Sequence, residues 1–106
     1  MLDGILIRGT TPSHDFELPY PAELIKDVRI TYGQNDKAII TKDKSECSID
    51  NNTFTTVLSQ EETLLFVPKK NANIEIRVLM LDGRVIRSED PITLRVLDSM
   101  NVEVLE

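Results

Sequence analysis

Few residues in this chain of 106 carry side chains suited to acid–base or nucleophilic chemistry. The one histidine, His14, lies between Ser13 and Asp15, which are the residue types of a hydrolase triad. Neighbouring residues in an extended segment point to opposite faces, so these three side chains cannot converge on one substrate. We therefore predict that His14 is structural, hydrogen-bonded to a loop, and that its replacement by glutamine abolishes no activity.

The single cysteine, Cys47, excludes a disulfide scaffold and a cysteine-based zinc site, because both need several sulfur atoms at one point. A reactive thiol needs a base or a positive charge beside it. No histidine is near Cys47 in the sequence, and its neighbours Glu46 and Ser48 are acidic or neutral. The sequence therefore predicts that Cys47 is a small buried hydrophobic residue rather than a nucleophile.

The carboxylates are numerous but dispersed. Asp43, Glu46 and Asp50 fall along one predicted edge, and Glu61 and Glu62 fall on a turn. Neither set has acids at alternate positions and a glycine at the sixth, as a calcium loop requires. We interpret them as solvated surface charge, and we expect no enzymatic activity, no metal and no small-molecule cofactor.

Charge and composition exclude further classes of protein. The chain has 18 acidic and 12 scattered basic residues, a net charge of −6, which argues against a nucleic-acid partner. No apolar run approaches the roughly 18 residues that span a bilayer, so we expect no membrane contact. The first five residues lack the basic and apolar regions of a secretion signal, which favours the cytoplasm or the interior of a larger particle. The length predicts a single domain over residues 1–106.

The elements that must position these residues are strands. Val, Ile and Thr make up 28 of the 106 residues and Ala only three, and β-branched side chains favour a pleated sheet over a helix. In residues 73–81, Ile74, Ile76, Val78 and Met80 fall on one face and Glu75 and Arg77 on the other. Asp82-Gly83 follows and predicts a hairpin, with Val85 opposite Met80 if the loop has two residues.

A second hairpin is predicted over residues 46–58. With Asn51-Asn52 as its turn, Ile49 lies opposite Phe54, an aromatic and β-branched pair that fixes register. Ser59 stands three residues before Glu62 and predicts one helical turn, followed by a short strand into Val67-Pro68. Further strands are predicted at residues 4–8, 14–18, 28–32, 37–42 and 92–96, with a loop over residues 33–36.

Seven to nine short strands without a long helix indicate an all-β protein. The fold that we predict is an antiparallel immunoglobulin-like or related Greek-key β-sandwich, with a small β-barrel as the alternative. The turn at residues 59–63 resembles the corner that precedes the sixth strand of immunoglobulin-like domains.

Two segments are candidates for partner contact. The run Pro19-Tyr20-Pro21 places an aromatic ring between two prolines, and it either presents a stiff contact surface or closes one end of the sandwich. In residues 101–106, Val102 and Val104 alternate with acidic residues. This terminus is predicted to be a last edge strand, or an arm that adds to a neighbour's sheet.

Three segments carry a family resemblance: Gly-Thr-Thr-Pro-Ser-His-Asp-Phe-Glu-Leu-Pro (9–19), Val-Arg-Ile-Thr-Tyr-Gly-Gln (28–34) and Leu-Ser-Gln-Glu-Glu-Thr-Leu-Leu-Phe (58–66). The chain resembles small uncharacterised proteins encoded in the prophage and virion-structural gene regions of Gram-positive gut bacteria. That resemblance implies a non-enzymatic structural or accessory role in a phage particle, in the tail or the head-to-tail region. It also implies self-association or a larger virion protein as partner, and the virion or the bacterial host cytoplasm as location.

A module that binds a small ligand, such as a cell-surface carbohydrate, is the alternative function. Sugar sites stack rings on exposed aromatic side chains, and the chain has two tyrosines, three phenylalanines and no tryptophan. Most of these aromatic residues are needed for the core, so the alternative depends mainly on Tyr20.

Overall fold

The computed structural model describes residues 4–106 as nine strands, one short α-helix and two single 3-10 turns, arranged in two β-sheets. The elements are β1 (Gly4–Ile7), β2 (Ser13–Glu17), β3 (Ile25–Gln34), β4 (Lys37–Asp43), β5 (Ser48–Asp50), β6 (Thr53–Val57), α1 (Gln60–Thr63), β7 (Asn71–Met80), β8 (Val85–Arg87) and β9 (Ile92–Leu97). The 3-10 turns are Ala22–Leu24 and Lys44–Glu46.

The strand order is that of an immunoglobulin-like sandwich. The larger sheet has the order β1-β9-β7-β3-β4, with β8 also paired to β7, and the smaller sheet has the order β2-β6-β5. Lettered A to G, the smaller sheet corresponds to B, E and D, and the larger one to G, F and C, flanked by β1 as strand A beside G and by β4 as an added edge strand beside C. Every pairing is antiparallel except that of β1 with β9, which is parallel. The predicted fold class is confirmed.

The core lies between the sheets and follows the period of two. Every second residue is buried along β7, and along β3 from Val28 onward, after a register shift between Ile25 and Asp27, while the neighbours are more exposed. On the smaller sheet Phe16 lies directly opposite Phe54, and both rings are buried. The largest fully buried side chains are Tyr32, Phe54 and Phe66, which account for most of the aromatic residues of the chain. Burial of this apolar surface provides the main favourable free energy of folding.

The turn between β3 and β4 is shorter than predicted. Only Asn35 and Asp36 form it, with φ angles of 52° and 61°, as a two-residue hairpin turn requires. Gly33 and Gln34 belong to β3, where the register shifts by one residue after Tyr32. A Cβ atom on Gly33 would lie 2.7 Å from the carbonyl oxygen of Lys37, so only glycine allows this close approach of the two strands.

The turn residues predicted the register of one of the two hairpins correctly and that of the other incorrectly. The pairing of Ile49 with Phe54 is confirmed. The predicted pairing of Val85 with Met80 is wrong, because Val85 lies opposite Leu79. The loop has three residues rather than two and ends at Gly83 with a φ of 93°, while the Met80 amide donates to the Arg84 carbonyl at 2.8 Å. This one-residue shift turns Val85 to the outer face.

The helical turn α1 is confirmed with both halves of its capping box. The Glu62 amide donates to the Ser59 hydroxyl, and the Ser59 amide donates to the Glu62 carboxylate. The short strand predicted to lead into Val67-Pro68 does not form, because the described chain is irregular from the end of α1 to β7. The side chain of Gln34 takes the place of a neighbouring strand there and hydrogen-bonds the backbone of Val67.

Candidate functional site

The histidine belongs to a hydrogen-bonded chain that links the two sheets. His14 Nδ1 lies 2.6 Å from the Tyr32 hydroxyl, which in turn lies 2.7 Å from the Thr56 hydroxyl. Tyr32 stands on β3 of the larger sheet, and His14 and Thr56 stand on adjacent strands of the smaller one. His14 therefore bonds a core tyrosine rather than the predicted loop. Ser13 and Asp15 are exposed and do not converge with it, as predicted.

The electrostatics of this chain keep its groups neutral. Burial raises the pKa of Tyr32 to about 12, so the phenol remains protonated. Burial also lowers the pKa of His14, and the nearby Asp15 carboxylate opposes this only in part. A general acid or base needs a pKa near the working pH, and these shifts move both groups away from that range. The arrangement connects the sheets and stabilises the fold.

We expect the stability of the protein to depend on pH through His14. Because its folded pKa lies below the ordinary value of 6.5, the unfolded state binds the proton more readily. The contribution of His14 to the free energy of unfolding is therefore fully present above about pH 6.5. It decreases as the pH falls from there toward the folded pKa. Urea unfolding from pH 7.5 to 5 measures this slope. In His14→Gln the slope over this interval should be smaller, and equal slopes in the two proteins would contradict the assignment.

Cys47 is half-buried, and its thiol donates a hydrogen bond to the Asp43 carbonyl at 3.2 Å. Burial raises the pKa of the thiol, and the charges of Asp43 and Glu46 raise it further. The thiol therefore remains protonated and packs against the core, in agreement with its predicted structural role.

The Pro19-Tyr20-Pro21 loop lies at one end of the smaller sheet, beside the turn that joins β5 and β6. Two hydrogen bonds join Leu18 to Asn52. The Leu18 amide donates to the Asn52 carbonyl at 2.9 Å, and the Asn52 side-chain Nδ2 donates to the Leu18 carbonyl at 2.7 Å. The Tyr20 ring is half-buried against the core, and both prolines are exposed. An open depression of about 360 Å³ lies between this loop and the turn. The loop thus closes one end of the sandwich.

The C-terminal segment, residues 101–106, joins neither sheet. The prediction of a last edge strand is wrong within this chain, because the polypeptide is irregular after β9. Val102 is 46% exposed and Val104 is partly buried. The segment is held to α1 at one residue, where the side chain of Gln60 bonds both backbone groups of Leu105. It lies at the α1 end of the smaller sheet, so the structure does not bring Val102 and Val104 together with the Pro19-Tyr20-Pro21 loop.

Sequence reasoning missed a row of arginines on the outer face of the larger sheet. Arg77 lies directly opposite Arg29 on one neighbouring strand and Arg87 on the other. Arg29 pairs with Asp27, and Arg87 pairs with Glu75 at 3.0 Å. Arg77 is exposed and forms no ion pair with any residue of the described part of the chain. Like charges placed directly opposite each other weaken the pairing of two strands.

Residues 4–106 lack two further features, a metal-binding cluster and a membrane-spanning helix. No group of three or more His, Cys, Asp or Glu side chains in this range has the geometry to hold a metal ion. Within the same residues, none of the helical segments has the length and apolar character needed to cross a membrane.

No protein-family model matches this chain, and no curated protein sequence is significantly similar to it. The class of protein defined here is therefore the one given by its strand order, an all-β immunoglobulin-like sandwich.

Proposed function

We propose that the protein is a non-enzymatic structural or accessory component of a phage particle, in the tail or head-to-tail region, and acts through protein–protein contacts. The observation that carries the proposal is the set of open sheet edges: β1, β4 and β8 in the larger sheet and β2 and β5 in the smaller one. An open edge presents unpaired backbone donors and acceptors that a strand of another chain can bond.

The surface near these edges supports the same proposal. On the edge strand β1, Ile5 and Ile7 are 54% and 41% exposed, although both are large apolar residues. Apolar residues beside a free edge favour docking over solvation. The net charge of −6 keeps free copies apart before assembly, and the resemblance to prophage-encoded proteins suggests the particle as the place of assembly. The partners proposed are further copies of the chain or a larger virion protein.

Mass spectrometry of purified particles tests the proposal. Prophage induction in the bacterium that encodes the chain, followed by density-gradient purification, is expected to give particles whose peptides include this protein at a constant ratio to the major structural proteins. The same fractions from a strain in which the prophage is deleted serve as control. Particles that lack the protein in every fraction would exclude a structural role.

A carbohydrate-binding module is the second candidate, and the depression beside Tyr20 favours it. Its lining includes Glu23, Asn51 and Asn52, whose carboxylate and amide groups suit sugar hydroxyls, and a half-buried aromatic ring. On this alternative, a glycan array shows specific binding that Tyr20→Ala abolishes and Tyr20→Phe retains. An array without specific binding removes the alternative and leaves the first proposal unaffected.

A further inference from the structure

Strand β8 is a short edge strand with one free side. It bonds the same side of β7 as β9 does, because β3 occupies the other side of β7 along its length. The Arg84 carbonyl and the Ser88 amide point to β7, where they bond Met80 and Ile76 at 2.8 and 2.9 Å. The N–H and C=O groups of successive residues in an antiparallel strand point to alternate sides of the strand. Those of Val85 and Arg87 therefore point away from β7, to the free side.

The C-terminal segment has the pattern of a strand without a sheet. In the described structure its backbone is bonded to the rest of the fold at Leu105, whose amide donates to Gln60 Oε1 at 2.8 Å and whose carbonyl accepts from Gln60 Nε2 at 2.9 Å. An amide side chain that bonds both groups of one residue reproduces what a neighbouring strand does in an antiparallel pair. Leu105 therefore already directs both backbone groups to one side.

The charges of the two segments complement each other in one antiparallel register. If Leu105 exchanges backbone hydrogen bonds with Val85, Glu103 lies opposite Arg87 and Glu106 lies opposite Arg84. Opposite charges at directly facing positions stabilise a pair of strands. Arg87 stands at the end of the arginine row, so Glu103 would also reduce the repulsion in that row.

The apolar residues agree with the same register. Val85 is 55% exposed on the outer face of the sheet, and Leu105, 71% exposed, would cover it. Ile86 is half-buried beside the core and would meet Val104 on the inner face. A shift of one residue in either direction sets Arg87 opposite a valine, Val104 or Val102, so only the unshifted register keeps the charge pair and both apolar pairs.

The segment of the same chain cannot reach this position. Arg95 on β9 is level with Asn71, and Ser88 is level with Ile76, so Leu97 lies about 23 Å along the sheet from Ser88. Val102 would have to lie beside Ser88, yet the five residues from Leu97 to Val102 extend at most about 18 Å. Strand β1 also occupies the position next to β9. If residues 101–106 occupy the β8 edge, they therefore come from a second copy.

We propose that residues 101–106 of one copy add as an antiparallel strand to the β8 edge of another, with Leu105 opposite Val85 and Glu103 opposite Arg87. This inference rests on the proposed function, because it names one of the contacts by which the protein assembles. The β8 edge and residues 101–106 are different surfaces of the protein, so the contact is head-to-tail. Such a contact continues from copy to copy unless the copies close into a ring. The Leu105 backbone cannot bond Gln60 and Val85 together, so Gln60 competes with association.

Complementary variants test the contact in solution. A chain that ends at residue 100 keeps the edge and lacks the segment, and Arg87→Glu keeps the segment and repels Glu103 at the edge. At a concentration at which the intact chain associates, multi-angle light scattering should find each of these variants mainly monomeric and an equimolar mixture forming a species of twice the mass. The intact chain should increase in mass with concentration, and Gln60→Ala should shift that increase to lower concentration.

Charge exchange tests the register. Glu103→Arg should weaken association about tenfold, the cost of one facing charge pair, and Arg87→Glu combined with Glu103→Arg should restore it. Glu23→Arg is the matched control: Glu23 is exposed in the 3-10 turn Ala22–Leu24, outside every sheet edge, and its replacement changes the net charge equally and should leave association unchanged. Circular dichroism verifies that each variant folds.

Three outcomes would overturn the inference: a monomeric intact chain and Gln60→Ala at all concentrations, association that persists after removal of residues 101–106, or a charge exchange that fails to restore it. Failure of the proposed function is separate, because it is decided by the composition of purified particles. The protein can occur in the particle without this contact, and purified copies can associate through it without occurring in any particle.

Discussion

Replacing Gln34 by leucine is expected to lower the free energy of unfolding by about 2–4 kcal/mol. The Gln34 side chain is only 3% exposed, yet it forms three hydrogen bonds with the backbone. Its Nε2 donates to the carbonyls of Val67 and Lys70 at 2.9 and 3.1 Å, and its Oε1 accepts from the Val67 amide at 2.7 Å. Leucine preserves most of the volume but leaves these backbone groups unpaired, which costs more than the lost bonds themselves.

The consequence extends beyond the site of the change, because this amide orders the segment that leads from α1 into β7. Urea unfolding with a fitted slope measures the loss of stability. Gln60→Leu is the matched control, since the Gln60 side chain is half-buried and bonds only the C-terminal segment. We expect the free energy of unfolding of this control variant to fall by less than about 1 kcal/mol. A loss that small in Gln34→Leu would show that water replaces the amide without cost.

Replacing Tyr32 by phenylalanine is expected to lower the free energy of unfolding by about 1–3 kcal/mol. The ring is fully buried, and its hydroxyl is the one group that joins His14 to Thr56. Removing it leaves the Thr56 hydroxyl, on a residue with 0% exposure, without that partner. Tyr20→Phe is the control, because the Tyr20 hydroxyl has no hydrogen bond to any residue between 4 and 106, and its loss should be nearly neutral.

A double-mutant cycle separates the hydrogen bond from packing. Thr56→Val removes the facing hydroxyl and keeps the shape of the side chain, so the double variant Tyr32→Phe/Thr56→Val should cost less than the two single variants added together. Strict additivity would mean that the two hydroxyls are not coupled. The Tyr32→Phe variant should also alter the pH dependence assigned to His14, because the ring loses the neighbour that its Nδ1 faces.

Features that depend on a few consecutive residues were predictable. The alternation along β7 depends on the period of two, the capping box at Ser59 depends on residues three apart, and the Asn51-Asn52 turn fixed the pairing of Ile49 with Phe54. The β7–β8 register was not predictable in the same way. Asp-Gly suits loops of two and of three residues, and packing against the core selected the longer loop, which places Ile86 on the inner face.

Local sequence patterns did not predict the contacts between residues that are distant in the chain. The sequence around Gln34 does not identify the partners of its amide, because Val67 and Lys70 lie more than thirty residues away. The arginine row is equally hidden, since Arg29, Arg77 and Arg87 become neighbours only when β3, β7 and β8 pair. A polar residue at a buried position in the alternation of β3 was the one signal that pointed to Gln34.

The sequence by itself determined the class of fold, because β-branching, alternation and turn residues act locally and are repeated in every strand. It also determined that Ser13 and Asp15 point away from the face of His14, and that Cys47 has acidic or neutral neighbours along the chain. Only the tertiary structure decided which strands are adjacent, which edges remain open and where the C-terminal segment lies. Those outcomes depend on long-range pairing, in which each residue's partner is chosen by the packing of the whole core rather than by its neighbours in sequence.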